Sequence, residues 1–336
     1  KVRQTDVAGN TSVASGTYTF TLDSTAPTTT VSTVSLSDDT GTSGTDFITR
    51  TSAQTISGTL SANVASGEVV KVSLDNGTTW QTASTTVGAN TYSLSGVTLS
   101  SSNTLQVRVE DAAGNAGSEK QQVYTFDTTV GQSILSLAND SVTSDSITND
   151  GTVSVSGIDS DATWEYRVNG GDWTTGEGSS FVVGGADGEK TVEVRVTDIA
   201  GNVSTSSMSF TLDTTAPTTT VSSVTFSDDT GTSGADFITN TASQTISGTL
   251  SAALEAGEVV KISFDNGTTW QTAAATEGSD TFSLSGVTLT GSGTLVVRVE
   301  DAAGNTGTET QQIFTLDTTV AQSVLSLAND SVTTDG

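Results

Sequence analysis

The 336-residue sequence contains no cysteine and no histidine, and it has only two prolines. Without cysteine, a β-sandwich cannot carry a disulfide between its sheets, which excludes antibody-type domains. Without histidine the chain lacks the commonest general base, and without cysteine it lacks a thiol nucleophile. It also lacks a run of about 20 apolar residues, the length that crosses a bilayer as a helix. We therefore expect no enzyme and no membrane insertion by this segment.

Basic residues are scarce as well. The chain has 38 acidic residues and only 11 basic ones, so its net charge is −27. A surface this acidic repels phosphates, so we expect no nucleic-acid partner. Carboxylates are, however, the ligands that calcium prefers in proteins. The charge balance therefore favours a divalent cation over a polyanion as the partner.

What the chain has in abundance is internal repetition. Three segments, 22–31, 37–49 and 107–115, return 190 residues later with few changes. A unit of 190 residues is too long for one β-sandwich. The unit divides in two, because the ending VRVxDxAGN followed by FTLDTT occurs twice within it.

This division predicts five segments along the chain. They are the last strands of a preceding domain at 1–22, a long domain at 23–126, a short domain at 127–212, a second long domain at 213–316 and the first strand of a following domain at 317–336.

Strand patterns fill each of these segments. In LQVRVE at 105–110, apolar residues alternate with Gln106, Arg108 and Glu110, which predicts one buried face and one exposed face. The pair Asn76-Gly77 favours the positive φ angles of a tight turn between strands. Many short strands separated by such turns predict an all-β fold, tandem immunoglobulin-like β-sandwich domains in an extended rod.

The motifs DDTGxSxxDxIT, DNGxxW, VRVxDxAGN and LDTTAP, taken together, resemble the bacterial Ig-like tandem repeats of giant Gram-negative surface adhesins, including biofilm-associated and RTX-type adhesins. The resemblance covers essentially the whole chain. It implies a secreted, extracellular stalk at the cell surface, with Ca²⁺ stiffening the junctions between domains. The short repeat departs from the pattern, because 139–148 has one acid where the long repeat has Asp38-Asp39.

Acids in two kinds of loop are expected to meet at these junctions. In an immunoglobulin-like sandwich, the loop after the first strand and the loop between the last two strands lie at opposite ends. The two loops of consecutive domains therefore face one junction, and the linker passes between them. The predicted metal ligands are Asp23, Asp111 and Asn115 at the first junction; Asp38, Asp39, Asp46, Asp127, Asp198 and Asn202 at the second; Asp140, Asp145, Asp213, Asp301 and Asn305 at the third; and Asp228, Asp229, Asp236 and Asp317 at the last. The alternative is that these residues only form turns.

Two functions remain open at this stage. The first is a non-catalytic stalk segment of a surface adhesin, whose partners are the neighbouring repeats of the same long chain. The second is a structural repeat of a surface filament, sheath or S-layer, in which copies associate laterally or end to end. A repeat that binds carbohydrate through Trp80 or Trp270, or that binds ice, is a weaker third alternative.

Overall fold

The computed structural model describes residues 1–140 and 145–323, which form β-strands and no helix. Within these ranges no helix is therefore available to cross a membrane. Residues 141–144 and 324–336 lie outside the described part. They include part of the first loop of the short repeat and most of the strand predicted at 317–336.

By its internal contacts the chain divides into two compact units. The first unit contains 1–133, 157–165 and 195–205, and the second contains 134–156, 166–194 and 206–336. The first long repeat lies in the first unit and the second long repeat lies in the second. The short repeat contributes segments to both. The boundaries of the five predicted segments stay predictions.

The first long repeat forms nine strands. These are β1 (Val31–Leu36), β2 (Ile48–Thr49), β3 (Ala53–Leu60), β4 (Val69–Ser73), β5 (Gln81–Thr82), β6 (Ser84–Thr85), β7 (Thr91–Thr98), β8 (Asn103–Glu110) and β9 (Lys120–Phe126). One sheet has the order β1-β3-β7-β6 and the other has the order β2-β9-β8-β4-β5. The strand β2 pairs with β9 in parallel, and the other pairings are antiparallel.

Alternating side chains build the core of this repeat. On β8, Leu105, Val107 and Val109 are fully buried, as the period-2 pattern predicts. The prediction that Gln106 faces solvent is wrong, because only 6% of it is exposed. Its Nε2 donates a hydrogen bond to Asn76 Oδ1 at 2.8 Å, which satisfies the amide under the neighbouring turn.

The turn at Asn76-Gly77 has the predicted backbone conformation. The loop between β4 and β5 is, however, longer than a two-residue turn. Asn76 and Gly77 have φ angles of 57° and 84°, as a turn with two left-handed residues requires. The loop is closed by Asp75, whose carboxylate accepts hydrogen bonds from Thr79 N at 2.8 Å and Thr79 Oγ1 at 2.6 Å. These hydrogen bonds, with one from Ser73, lower the pKa of Asp75 to about 2.

The described residues of the short repeat, 127–140 and 145–212, form eight strands. These are β10 (Ile134–Leu137), β11 (Ile147–Thr148), β12 (Thr152–Ser156), β13 (Thr163–Val168), β14 (Thr174–Thr175), β15 (Ser180–Val182), β16 (Gly188–Thr197) and β17 (Val203–Leu212). Their orders are β10-β12-β15 and β11-β17-β16-β13-β14. The parallel pairing of β11 with β17 repeats that of β2 with β9.

The second long repeat forms nine strands in the same arrangement as the first. These are β18 (Val221–Phe226), β19 (Ile238–Thr239), β20 (Ser243–Leu250), β21 (Val259–Ser263), β22 (Gln271–Thr272), β23 (Ala274–Ala275), β24 (Thr281–Thr288), β25 (Gly293–Glu300) and β26 (Thr310–Leu316). Their orders are β18-β20-β24-β23 and β19-β26-β25-β21-β22. The all-β fold of tandem two-sheet sandwiches is therefore confirmed.

Residues 1–22 form a hairpin-like segment without a sandwich around it. An isolated bridge joins Thr5 to Thr11, and Ser12 N donates to Gln4 O at 2.9 Å. Phe20 is 80% exposed, whereas Phe210, which stands 190 residues later in the same motif, is 3% exposed. The same strand sequence buries its aromatic residue only where partner strands surround it.

Candidate functional site

The loop between the last two strands of the short repeat, residues 198–202, is closed by its own acid and amide. Asp198 is buried, and its two carboxylate oxygens accept from Asn202 N and Asn202 Nδ2, each at 2.8 Å. The same Asn202 amide donates to Asp127 O at 3.0 Å. This loop therefore clamps the linker through a backbone carbonyl.

The long repeats use the same clamp. Asn115 Nδ2 donates to Asp23 O at 3.1 Å, and Asn305 Nδ2 donates to Asp213 O at 2.8 Å. In the first of these loops, the Asn115 side chain lowers the pKa of Asp111 through a hydrogen bond. Each Asp-Asn pair is thus placed to form a turn and to hold the chain that enters its own domain.

The linker aspartates cap turns of their own. Each accepts a hydrogen bond at 3.0 Å through Oδ1 from the backbone N–H two residues later. The four residues are Asp23, Asp127, Asp213 and Asp317. Their carboxylates therefore stabilise the Asp-Thr-Thr or Asp-Ser-Thr turn at the start of each repeat.

A different arrangement is found in the loop after the first strand. Asp39 Oδ2 accepts from Phe47 N at 2.9 Å, whereas Asp39 Oδ1 is buried and has no hydrogen-bond partner. Asp46 lies beside it and accepts from Ile48 N at 3.0 Å. Burial raises the pKa of Asp39, and the neighbouring Asp46 carboxylate raises it further.

The unpartnered oxygen recurs in all three repeats. Oδ1 of Asp140 and Oδ1 of Asp229 are buried without a hydrogen bond, as is Oδ1 of Asp39. Asp229 accepts from Phe237 N at 2.9 Å, which reproduces the contact in the first repeat. Such oxygens are rare, because a buried polar atom without a partner is costly.

A strained backbone position follows the last acid of each of these loops. The residues are Phe47, Ser146 and Phe237, with φ angles of 64°, 61° and 62°. A bulky residue is seldom found in the left-handed region, so the surrounding loop must hold it there. The strain and the unpartnered oxygen therefore occur together, next to the acid pairs Asp39–Asp46 and Asp229–Asp236.

Asp38 and Asp228 are positioned through their backbones. The Asp38 N–H donates to Gln54 Oε1 at 3.0 Å, and its carbonyl accepts from Gln54 Nε2 at 2.9 Å. Gln244 holds Asp228 in the same way, at 3.1 and 2.9 Å. A buried glutamine thus anchors the start of each acidic loop.

The predicted ligands are brought together in pairs and clamps, and they do not form larger clusters. Across residues 1–140 and 145–323, no three acidic side chains form a group that could hold a metal ion. The assignment of calcium to the predicted junction residues stays a prediction. Among the predicted ligands, Asp39, Asp140 and Asp229 each have a buried carboxylate oxygen without a hydrogen-bond partner.

The loop 198–202 also contacts the end of the first long repeat, within the first compact unit. Thr40 Oγ1 donates to Ala200 O at 2.7 Å, and Arg50 donates through Nη1 to Gly201 O. Ala200 is fully buried in this position. Two successive carbonyls of the loop are therefore bound by side chains of the neighbouring repeat.

Gly41 makes this approach possible. It has a φ of 99°, and a Cβ at this position would lie 1.9 Å from the carbonyl oxygen of Ile199. Thr40, Gly41 and Arg50 together are named the first socket. Sequence reasoning missed this surface because it looked for acids, whereas the contact uses a hydroxyl, a glycine and a guanidinium.

Asp187 is a second residue that the sequence did not single out. Its carboxylate accepts from Thr214 N at 2.9 Å and from Thr215 Oγ1 at 2.5 Å, and these hydrogen bonds lower its pKa. It therefore ties the linker into the second long repeat to the short repeat. Its signal in the sequence was the Gly-rich turn at 184–188, between the strands β15 and β16.

The half-buried tryptophans Trp80 and Trp270 have structural partners. Trp80 Nε1 donates to Gly77 O at 3.0 Å, and the Arg108 guanidinium lies 3.8 Å from the centre of its ring. Arg298 lies 3.9 Å from the ring of Trp270 in the same way. These faces are covered by cations, which gives the tryptophans a packing role.

Each repeat pairs two β-sheets, and such repeats follow one another along the chain as tandem immunoglobulin-like β-sandwich domains. The chain belongs to the bacterial Ig-like domain family, whose sequence profile matches residues 25–128 and 215–318. This match confirms the family resemblance seen in the sequence motifs. No curated protein sequence matches the chain.

Solved structures similar to the chain include segments of adhesion proteins and fibronectin(III)-like modules. A tetra-tandem repeat from the extending region of a large adhesion protein is 23% identical, with 94% of this chain and 80% of that chain covered and a TM-score of 0.26. A 1.5-MDa bacterial ice-binding adhesin gives 22% identity, 84% and 97% coverage and a TM-score of 0.37. Fibronectin(III)-like modules of Clostridium thermocellum CbhA are 14% identical, with 54% of this chain and 94% of that chain covered and a TM-score of 0.31.

Proposed function

We propose that this chain is a non-catalytic stalk segment of a large secreted cell-surface adhesin that supports adhesion or biofilm formation, and that Ca²⁺ stiffens its junctions. Membership of the bacterial Ig-like family and the tandem order of the repeats support an extension role. The partners of the segment are then its neighbouring repeats. The segment itself is placed outside the cell, at the cell surface.

The recurrence of the same acidic loop supports a structural role over a catalytic one. The loop that carries Asp39 and Asp46 returns in the second long repeat with Asp229 and Asp236 at the same positions. A catalytic site depends on one distinct constellation, whereas a stalk needs the same joint at every repeat. Repetition of a single loop therefore suits a stalk.

The single observation that carries the calcium proposal is the buried, unpartnered carboxylate oxygen in each repeat. Its chemistry fits Ca²⁺, which takes six to eight oxygen ligands from carboxylates and carbonyls. Two carboxylates within about 5 Å repel one another by a few kcal/mol at a moderate effective dielectric. A bound cation would offset this repulsion and supply the missing partner. The side chains that would hold it are Asp39 with Asp46, Asp140 with Asp145, and Asp229 with Asp236.

The clamps support the junction part of the proposal without a metal. Asn202 binds the linker carbonyl of Asp127, and the first socket binds two carbonyls of the same loop, those of Ala200 and Gly201. A stiffened acidic loop next to this socket would restrict the joint. Calcium and direct hydrogen bonds would then act on one junction together.

Calorimetric titration of the full chain with Ca²⁺, after treatment with a chelator, tests the proposal. We expect binding whose stoichiometry falls when Asp39→Asn and Asp229→Asn are combined. Asp111→Asn is the matched control, because both oxygens of Asp111 already accept hydrogen bonds from Asn115. The absence of binding heat, or an equal loss in the Asp111→Asn control, would contradict the calcium assignment.

Sedimentation of the same samples addresses the alternative function. A stalk segment should stay monomeric over a wide concentration range with or without Ca²⁺. Association that grows with concentration would favour the filament, sheath or S-layer instead.

A further inference from the structure

The second long repeat carries a surface at the position of the first socket. Thr230, Gly231 and Asn240 lie 190 residues after the three residues of the first socket, and we name them the second socket. Together with Asp317 they line a cavity of about 190 Å³. In the first compact unit the corresponding surface is filled by the loop 198–202.

The threonine hydroxyl shows how the two sockets differ. In both, the hydroxyl oxygen accepts a backbone N–H, from Arg50 to Thr40 at 2.9 Å and from Asn240 to Thr230 at 2.8 Å. The hydroxyl proton is then available for another acceptor. Thr40 donates it to Ala200 O, whereas Thr230 donates it to the Asn240 side-chain oxygen of its own repeat at 3.0 Å.

The glycines of the two sockets also differ, in their backbone conformation. Gly41 has a left-handed φ of 99°, whereas Gly231 does not adopt a positive φ. A Cβ on Gly231 would lie 3.0 Å from Asp236 Oδ1, so its surroundings are its own loop and no docked chain. A change at Gly231 to the conformation of Gly41 would open the same close approach to another backbone.

The alanine of the Asp-x-Ala-Gly-Asn loop differs in burial from one repeat to another. Ala200 is fully buried against the first socket, and Ala303 is fully buried in the loop 301–305, whereas Ala113, at the same position of the loop 111–115, is exposed. The loop sequence is nearly the same in all three places. The loop sequence alone therefore does not decide the burial, which is complete for Ala200 where the first socket binds its loop.

We propose that the second socket is a docking surface for the Ala-Gly segment of an Asp-x-Ala-Gly-Asn loop carried by a repeat that follows in tandem. Thr230 donates its hydroxyl proton to the first loop carbonyl, and the Asn240 amide replaces the guanidinium of Arg50 at the next. Because asparagine is shorter than arginine, this joint is looser than the first. The inference rests on the proposed stalk function, since it needs a tandem repeat.

The test compares the 336-residue chain with a chain in which a copy of residues 147–212 follows Gly336. That copy completes a short repeat, because 317–336 corresponds in sequence to 127–146. Hydrogen exchange is followed at the backbone amide of Thr232, whose counterpart Thr42 donates to Ile199 O at 3.4 Å. We expect the extension to slow Thr232 exchange by about tenfold, while the Thr42 amide stays unchanged as an internal reference.

Two variants of the extended chain sharpen the result. Gly231→Ala should remove the added protection, because alanine disfavours the left-handed conformation that docking requires, and Asn240→Arg should increase it. An extension whose own strands are protected while Thr232 exchanges at its original rate would overturn the proposal. So would full protection in the Gly231→Ala variant. Neither result would bear on the proposed function as a calcium-dependent stalk, because that proposal is tested by titration of the unextended chain.

Discussion

The two long repeats share strands and register but differ at 30 of the 104 aligned positions of 23–126 and 213–316. Tyr92 of the first repeat is replaced by Phe282 in the second, and both rings are 3% exposed. Tyr92 donates its hydroxyl to Thr33 O at 3.0 Å, a contact that phenylalanine cannot make. The comparison shows that the fold requires the ring volume, whereas the hydroxyl is an addition.

A second paired difference lies on the strand β8 and its counterpart β25. The buried Gln106, which binds Asn76, is replaced by Val296, which is 1% exposed. A polar side chain with its hydrogen bond and an apolar side chain of smaller volume thus occupy the same site. Burial is maintained in both, because each solution leaves no unpaired polar group at that position.

The largest expected effect concerns a feature that the two repeats share. A Cβ on Gly58 would lie 2.0 Å from Thr33 O and 2.5 Å from the Tyr92 hydroxyl, and one on Gly248 would lie 2.2 Å from Ser223 O. We expect Gly58→Ala and Gly248→Ala to destabilise their own repeat by about 2–3 kcal/mol through overpacking. Region-resolved hydrogen exchange in denaturant would measure this.

Gly44→Ala serves as the control for this prediction. The nearest atom to its added Cβ is Asp39 O at 3.9 Å, so the methyl group makes an ordinary van der Waals contact and no clash. Equal stability of Gly44→Ala and Gly58→Ala would show that the glycine under the aromatic ring has no packing role.

A smaller effect is expected when one repeat is converted into the other. Tyr92→Phe should cost the first repeat about 1 kcal/mol, the net value of one hydrogen bond. Phe282→Tyr should be neutral or stabilising, because Ser223 O stands where Thr33 O accepts the bond in the first repeat. Denaturant unfolding of each variant checks both directions. A large loss in Phe282→Tyr would show that the two ring sites are not equivalent.

The smallest expected effect is a loss of stability at acid pH, which should be equal in the two repeats. The pKa of Asp75 and that of Asp265 are both lowered to about 2 by hydrogen bonds from Thr79 and Thr269, respectively. A lowered folded-state pKa contributes stability above the ordinary pKa of about 4. That contribution should be lost as the pH falls from about 4 to about 2, equally in both repeats. Acid unfolding of wild type and of Asp75→Asn combined with Asp265→Asn measures it, and a variant with an unchanged acid limb would contradict the assignment.

Much of the fold could be predicted from the sequence because period-2 alternation depends only on neighbouring residues. Leu105, Val107 and Val109 follow that rule and are buried. Gln106 does not, because its burial depends on a turn from another strand folding over it. Local patterns therefore predicted the strands, whereas contacts between segments that are distant in sequence could be identified only from the structure.

The candidate site shows the same limit. The sequence identified the acids, but it could not separate Asp198, whose oxygens are both hydrogen-bonded, from Asp39, which keeps one oxygen without a partner. It also missed Arg50 and Asp187, whose partners lie in other segments of the chain. Which oxygen is free, and which carbonyl is bound, depends on how loops meet in three dimensions.

The central claim is that calcium stiffens a stalk of intact repeats, and small-angle X-ray scattering tests it most directly. The full chain is measured with Ca²⁺, with chelator, and as the Asp39→Asn and Asp229→Asn double variant. We predict that chelator broadens the distance distribution and reduces the average extension, while circular dichroism shows that the strands persist. The double variant should resemble the chelated protein even with Ca²⁺. Identical scattering with Ca²⁺ and with chelator would contradict the account.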